Sequence, residues 1–358
     1  MRLLFVKLGS IGDIVHTLPA LAAVRRALPD AKVSWVVERG AAEILRDNPL
    51  LETLIVADTR ALRRAPVSGE TLLATRQQLR RLRASAFDLT LDFQGLLKSA
   101  LIARLSGAPR RYGFARPHLR EPASRFLLTD IVEIPPRLNV IRKNLALVAG
   151  ALGVDVPTDA DEFEFPIATT IEHEREAESV ATEAGAPFAI LNPGGGWVTK
   201  LWSADRFGAL ADALFMEHGL RSLITFGPGE AELAASVAAA SKLKVARPAA
   251  LSLKGFYALA RRAEVYVGGD TGPTHLAVAA GAPVVGLFGP TEWWRNGSPR
   301  AADIEVGRED ISCRVDCHRR TCSKWICMDI EVGRVLDAVG ERLRRARAAR
   351  HAEALTVA

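Results

Sequence analysis

The sequence predicts an α/β protein in two halves, each a parallel sheet covered by helices, and three observations carry that expectation. Apolar runs of strand length recur along the chain, helix-period stretches separate them, and the alternation stops and restarts around residues 153–166. A length of 358 residues fits two domains. With 49% hydrophobic and 25% charged residues, the composition excludes disorder, collagen-like repeats and a coiled coil.

The first element is a buried strand over Leu3 to Leu8, followed by a turn over Gly9 to Gly12 and an apolar-periodic helix from Ile14 to Leu28, ending before Pro29. Lys32 to Glu38 (KVSWVVE), Leu54 to Ala57 and Phe87 to Phe93 (FDLTLDF) repeat the strand signal, with helical stretches over Glu70 to Arg83 and Leu96 to Leu105. A long helix from Asn139 to Leu152 precedes the acidic, irregular stretch GVDVPTDADEFEFP, read as a linker over 153–166. Strands then return at Phe188 to Asn192, Arg221 to Phe226, Val265 to Val267 and Val284 to Phe288. The expected domains are therefore 1–152 and 167–330, with a helix and tail over 331–358. That last helix carries six arginines between Arg334 and Arg350, read as a solvated face in preference to a membrane-surface contact.

No apolar run reaches the ~20 residues of a membrane-spanning helix, and Met1 to Val6 reads as a strand and not a secretion signal, so the expected location is cytoplasmic. A formal charge of +6 suits an anionic partner without choosing among nucleotide, lipid headgroup and nucleic acid.

Four loops at strand ends hold residues suited to chemistry. Lys7-Leu8-Gly9-Ser10-Ile11-Gly12-Asp13 enters a helix N-terminus at the carboxyl end of a strand, where open α/β sheets bind ligands. There Asp13 either caps the helix or presents its carboxylate to a ligand. Asn192 to Trp202 (NPGGGWVTKLW) offers three glycines with the Thr199 hydroxyl and the Lys200 charge, a set suited to a phosphate, although the Walker A pattern is absent. Gly268 to His275 (GGDTGPTH) places open N–H groups and a helix dipole where a diphosphate would bind, with Asp270 or Thr271 able to cap the same helix. In Gly227-Pro228-Gly229-Glu230, the Glu230 carboxylate can accept hydrogen bonds from ribose hydroxyls. These three loops of the second half suggest a nucleotide site facing Arg60, Arg63, Arg64 and Arg120 of the first.

KLGSIGDIVHTLP at residues 7–19, GGDTGPTH at 268–275 and APVVGLFGPT at 282–291 together resemble the bacterial heptosyltransferases of glycosyltransferase family 9, along nearly the whole chain. Tyr112-Gly113-Phe114 and Arg120-Glu121-Pro122 are most similar to the heptosyltransferase I branch. The resemblance implies a GT-B fold, two Rossmann-like domains facing each other across a cleft, with an N-terminal acceptor domain and a C-terminal donor domain. It implies an ADP-heptose donor, a Kdo-lipid A acceptor in the inner core of lipopolysaccharide, no nucleic-acid partner, and work at the cytoplasmic face of the inner membrane. By the same resemblance Asp13 is the catalytic carboxylate. Lys200, Thr199, Glu230, Asp270, Thr271, Gly272 and His275 bind the donor, and Gly12, Arg60, Arg63, Arg64 and Arg120 bind the acceptor.

Two features depart from the family pattern. Asn139-Val140-Ile141-Arg142 stands where a histidine is expected in the helix after the acceptor segment. Cys313, Cys317, Cys322 and Cys327 are all the cysteines of the chain, too local for a disulfide scaffold, and they suit a structural zinc or iron–sulfur cluster or, equally, reduced or pairwise-bonded thiols. No cofactor is expected for catalysis, since a lysine and a helix terminus offset the diphosphate charge.

Other classes make different demands. A Rossmann oxidoreductase needs Gly-x-Gly-x-x-Gly after the first strand, where this chain reads Gly-Ser-Ile-Gly-Asp. A family 9 transferase with another acceptor or sugar, or a non-catalytic nucleotide-sugar-binding protein, would keep the donor loop, and turnover separates the last of these.

Overall fold

The computed structural model describes residues 1–58, 69–185, 187–315 and 317–357. The chain divides into two compact units, Met1–Ala168 and Thr169–Ala358.

In the first unit, β1 (Arg2–Val6), β2 (Lys32–Glu38), β3 (Thr53–Ala57), β4 (Leu89–Asp92), β5 (Arg110–Phe114) and β6 (Asp130–Val132) form one sheet in the order β3-β2-β1-β4-β5-β6. Each neighbouring pair is parallel. Helices cover both faces of such a sheet, so its central strands are apolar at consecutive positions. Leu3, Leu4, Phe5 and Val6 are accordingly all buried.

The second unit repeats the plan. Its strands β7 (Phe188–Asn192), β8 (Arg221–Phe226), β9 (Ala246–Ala250), β10 (Val265–Gly269), β11 (Val284–Leu287) and β12 (Ile304–Val306) lie in the order β12-β11-β10-β7-β8-β9, again all parallel. Counted from the start of each unit, both sheets therefore run 3-2-1-4-5-6. The strand order reverses between β1 and β4 in one unit and between β7 and β10 in the other. Loops leaving the carboxyl ends of strands on either side of such a reversal diverge to opposite faces and leave a crevice, where open α/β sheets hold ligands.

Several elements differ from the sequence expectation. The helix expected over 14–28 is two helices, Ile11–Val15 and Leu18–Ala27, because Pro19 has no N–H to donate and fits only a first turn. Strands β5, β6, β9 and β12 were not expected. Three are sheet edges, where pairing on one side relaxes the need for a long apolar run, and β9 even contains Pro248. The 153–166 stretch belongs to the first unit, where Phe163 is buried with Ala23, Ile141 and Leu145. The last helix spans Val332–Val357 and is not merely solvated, for Val335, Val339 and Leu343 enter the core of the second unit. Its Arg342 is buried too, donating through Nε to Asp303 Oδ1 at 2.8 Å.

Candidate functional site

In the first unit the reversal point is built from the loops after β1 and β4. The loop after β1 enters the helix Ile11–Val15 with Ser10 as N-cap, and Asp13, at the third helical position, reaches back to accept the Ser10 N–H at 2.9 Å. Its other oxygen, Oδ1, lies 3.3 Å from Lys7 Nζ. Asp13 is thus a capping carboxylate and an ion-pair partner at once, and 29% of its side chain still reaches solvent. Burial raises its pKa, but Lys7, His16 and the Ser10 N–H outweigh that effect and hold the carboxyl below its ordinary range. Gly12 is buried within the same short helix, its carbonyl accepting the His16 N–H at 2.9 Å.

Lys7 and the β4 loop went unread in the sequence as site residues. Lys7 is buried at the end of β1 and donates through Nζ to Phe93 O at 3.0 Å, which aims its charge at Asp13. Gln94 Oε1 accepts the Leu8 N–H at 3.0 Å, joining the two loops across the reversal. Behind them Asp92 is buried, accepting from the Gln94 and Gly95 N–H groups and from Ser99 Oγ. Burial dominates those bonds and pushes its pKa up to about 6. The only signal for this network in the sequence is an acidic residue at the end of an otherwise apolar strand.

Gly95 has φ +67, and a Cβ there would stand 3.2 Å from Leu119 Cδ2, so the position favours glycine. Its carbonyl accepts the Arg120 and Glu121 N–H groups, both at 3.1 Å. The exposed Arg120 is thereby tied to the loop that Gln94 bonds to the Asp13 loop. Arg60, Arg63 and Arg64 lie outside the described residues. Asn139, where a histidine was expected, caps the helix Val140–Leu152, its Oδ1 accepting the Ile141 N–H at 3.0 Å.

The second unit places its candidate residues at its own reversal point, on the loops after β7 and β10. Lys200 Nζ lies 2.7 Å from Asp270 Oδ2 and 2.9 Å from Asp270 O. His275 Nε2 stands 3.3 Å from the other Asp270 oxygen, and Asn296 Nδ2 lies 3.4 Å from Oδ2. Burial raises the Asp270 pKa, yet His275 and Lys200 more than offset it, leaving the carboxyl well below the usual range. Asp270 therefore does not cap the helix Gly272–Ala279. Thr271 is its N-cap, but the Thr271 hydroxyl pairs with Thr274 Oγ1 at 3.3 Å and makes no capping bond. The first N–H groups of a helix have no partner within it, so this N-terminus, with Gly272 first and Pro273 second, is a ready anion site.

Glu230 reaches the same edge from the loop after β8. Its Oε2 accepts the Gly227 N–H at 2.8 Å, and a Cβ at Gly194 would stand 2.6 Å from its carboxylate oxygens, so the β7 and β8 loops meet through a glycine. Thr199 differs from expectation: it is buried, and its hydroxyl donates to Arg319 O at 2.7 Å, bracing a loop instead of facing a phosphate.

Of the alternatives for the cysteines, the structure has the reduced thiols and, among the described residues, neither the disulfides nor a metal cluster. Cys313, Cys317, Cys322 and Cys327 are free thiols, so the local disulfides are not formed. Nor do they converge on a metal: among the described residues no three His, Cys, Asp or Glu side chains gather closely enough to hold one. Their segment runs along the carboxyl edge of the sheet, with Cys327 buried, Cys317 and Cys322 half-buried and Cys313 exposed.

Comparison with known proteins agrees with this geometry. Residues 75–325 match the family model described as glycosyltransferase family 9 (heptosyltransferase). The chain is 32% identical to lipopolysaccharide heptosyltransferase 1 of Pseudomonas aeruginosa over 90% of its own length and 88% of the relative's. Among solved structures it is similar to the E. coli heptosyltransferase WaaC with ADP, with a TM-score of 0.74, 28% identity, and coverage of 86% of this chain and 93% of that one. The same enzyme with ADP-2-deoxy-2-fluoro heptose gives a TM-score of 0.72 at 27% identity, with the same coverage.

Proposed function

The chain belongs to glycosyltransferase family 9 and is a glycosyltransferase of GT-B fold, and from that premise we propose that it moves heptose from ADP-heptose to the Kdo-lipid A inner core of lipopolysaccharide. The observation that carries this reading is the matched pair of reversal points: one unit holds a solvent-reaching carboxylate there, the other a lysine and an open helix N-terminus. The first equips a unit to receive a proton, the second to hold a leaving diphosphate.

In the proposed reaction Asp13 takes the proton of the acceptor hydroxyl as that oxygen attacks the anomeric carbon. Its depressed pKa keeps it ionised at neutral pH, as a base must be. The bond to the ADP oxygen breaks in the same displacement, which inverts the anomeric centre. Lys200 and the N–H groups at the start of the Gly272–Ala279 helix stabilise the departing charge, while Glu230 meets the ribose. Gly12 and the arginines at 60, 63, 64 and 120 are assigned to the acceptor. A lipid-borne acceptor places the work at the cytoplasmic face of the inner membrane. Among the described residues no helix is long and apolar enough to cross a bilayer, and the +6 charge suits anionic headgroups.

The test is product analysis with ADP-heptose and a panel of truncated lipopolysaccharide acceptors. Heptose on Kdo-lipid A is the expected product. Transfer only to cores that already carry heptose would move the chain to another branch of the family, and binding of ADP-heptose with no product from any acceptor would make it a binding protein.

A further inference from the structure

Charge accounting at the donor loop leaves a gap. The diphosphate of a nucleotide sugar carries two negative charges, yet the Lys200 ammonium already faces the Asp270 carboxylate at 2.7 Å. That pair brings no net charge to the site. The cysteine-bearing segment lies directly beside it. His318 N–H donates to Pro290 O at 2.9 Å, Thr199 Oγ1 donates to Arg319 O at 2.7 Å, and Trp325 Nε1 donates to Thr199 O at 3.0 Å. Three bonds thus seat residues 318–325 on the loops after β7 and β11.

Seated there, Arg320 places its guanidinium 5.3 Å from the centroid of the Trp197 ring, and Lys200 Nζ lies 4.4 Å from the same centroid. Both distances are within the range of a cation–π contact. One indole of the glycine loop therefore carries both cations. Unlike Lys200, Arg320 is exposed and makes no ion pair among the described residues. A planar, permanently charged fork held this way suits two phosphate oxygens at once.

We propose that Arg320 is a second donor-binding cation, delivered by the cysteine-bearing segment, which engages the diphosphate of the nucleotide sugar beside Lys200. The proposal rests on the donor site assigned above to the second unit. Thr199 and Trp325 act as positioning residues, because they hold the segment without being aimed at the ligand.

The experiment compares ADP and AMP affinity by calorimetry for the wild type, Arg320→Ala, Arg320→Lys and Lys200→Ala. Arg320→Ala is expected to weaken ADP binding by about five- to tenfold while AMP changes by less than about twofold, with Arg320→Lys recovering part of the loss because charge remains and the fork is gone. Arg320 is exposed, so the variant should fold. A merely structural role would weaken both nucleotides alike, and that result overturns the proposal. Loss of ADP affinity in Lys200→Ala with none in Arg320→Ala overturns this inference and leaves the donor site standing. Unchanged affinity in both overturns the donor site itself.

Discussion

Lys200 and Asp270 meet at 2.7 Å across the point where the strand order of the second sheet reverses, and both side chains are largely shielded from water. One residue follows β7 and the other precedes the Gly272–Ala279 helix, so their contact exists only because β7 and β10 are neighbours. Ligand and carboxylate then compete for one ammonium.

Replacing Lys200 by alanine should weaken ADP binding by about 10- to 100-fold, the equivalent of the roughly 1.5–3 kcal/mol of a hydrogen bond to a charged group. It should also lower kcat, because the diphosphate charge grows as the bond breaks. Calorimetry and initial rates check both, and unchanged values in the two would remove Lys200 from the donor site.

A pH-dependent difference is expected from Asp92. Its pKa rises to about 6 on folding, from an ordinary value near ~4, so it favours the folded state while protonated. That contribution is fully present below ~pH 4 and is lost as pH rises through 6. The stability of Asp92→Asn relative to the wild type should therefore improve between pH 5 and 7, up to a limit on the order of 3 kcal/mol. Denaturant titrations at several pH values measure it, and a flat difference would contradict the assignment.

Gly95→Ala should destabilise the first unit by about 1–2 kcal/mol, through the positive φ and the contact with Leu119. Because Gly95 O anchors the Arg120 backbone, KM for the acceptor should rise more than KM for the donor. Equal changes in the two would sever Arg120 from acceptor binding.

Much of this was legible in the sequence wherever burial on both faces of a sheet demands continuous apolar runs. The bounds of β2, β7 and β8 coincide with Lys32 to Glu38, Phe188 to Asn192 and Arg221 to Phe226 for that reason. Edge strands such as β9, with its exposed arginine and proline, give no such signal. At Asp13 capping and ligand-facing stood as alternatives, and the two oxygens allow both. Partners far along the chain were out of reach. Nothing near Lys7 announces Phe93, and nothing near Thr199 announces Arg319, whose carbonyl takes the hydroxyl expected at a phosphate. Cysteine spacing leaves a metal and reduced or paired thiols equally open, because spacing alone does not fix where the thiols point.

The measurement that tests the account most directly is heptose transfer by Asp13→Ala and Asp13→Asn, with ADP affinity measured on the same samples. A lost general base predicts kcat lower by about 10²- to 10⁴-fold, while ADP affinity stays within about twofold, because the nucleotide is assigned to the other unit. Transfer at close to the wild-type rate would contradict the account and leave Asp13 only its structural contacts with Ser10 and Lys7.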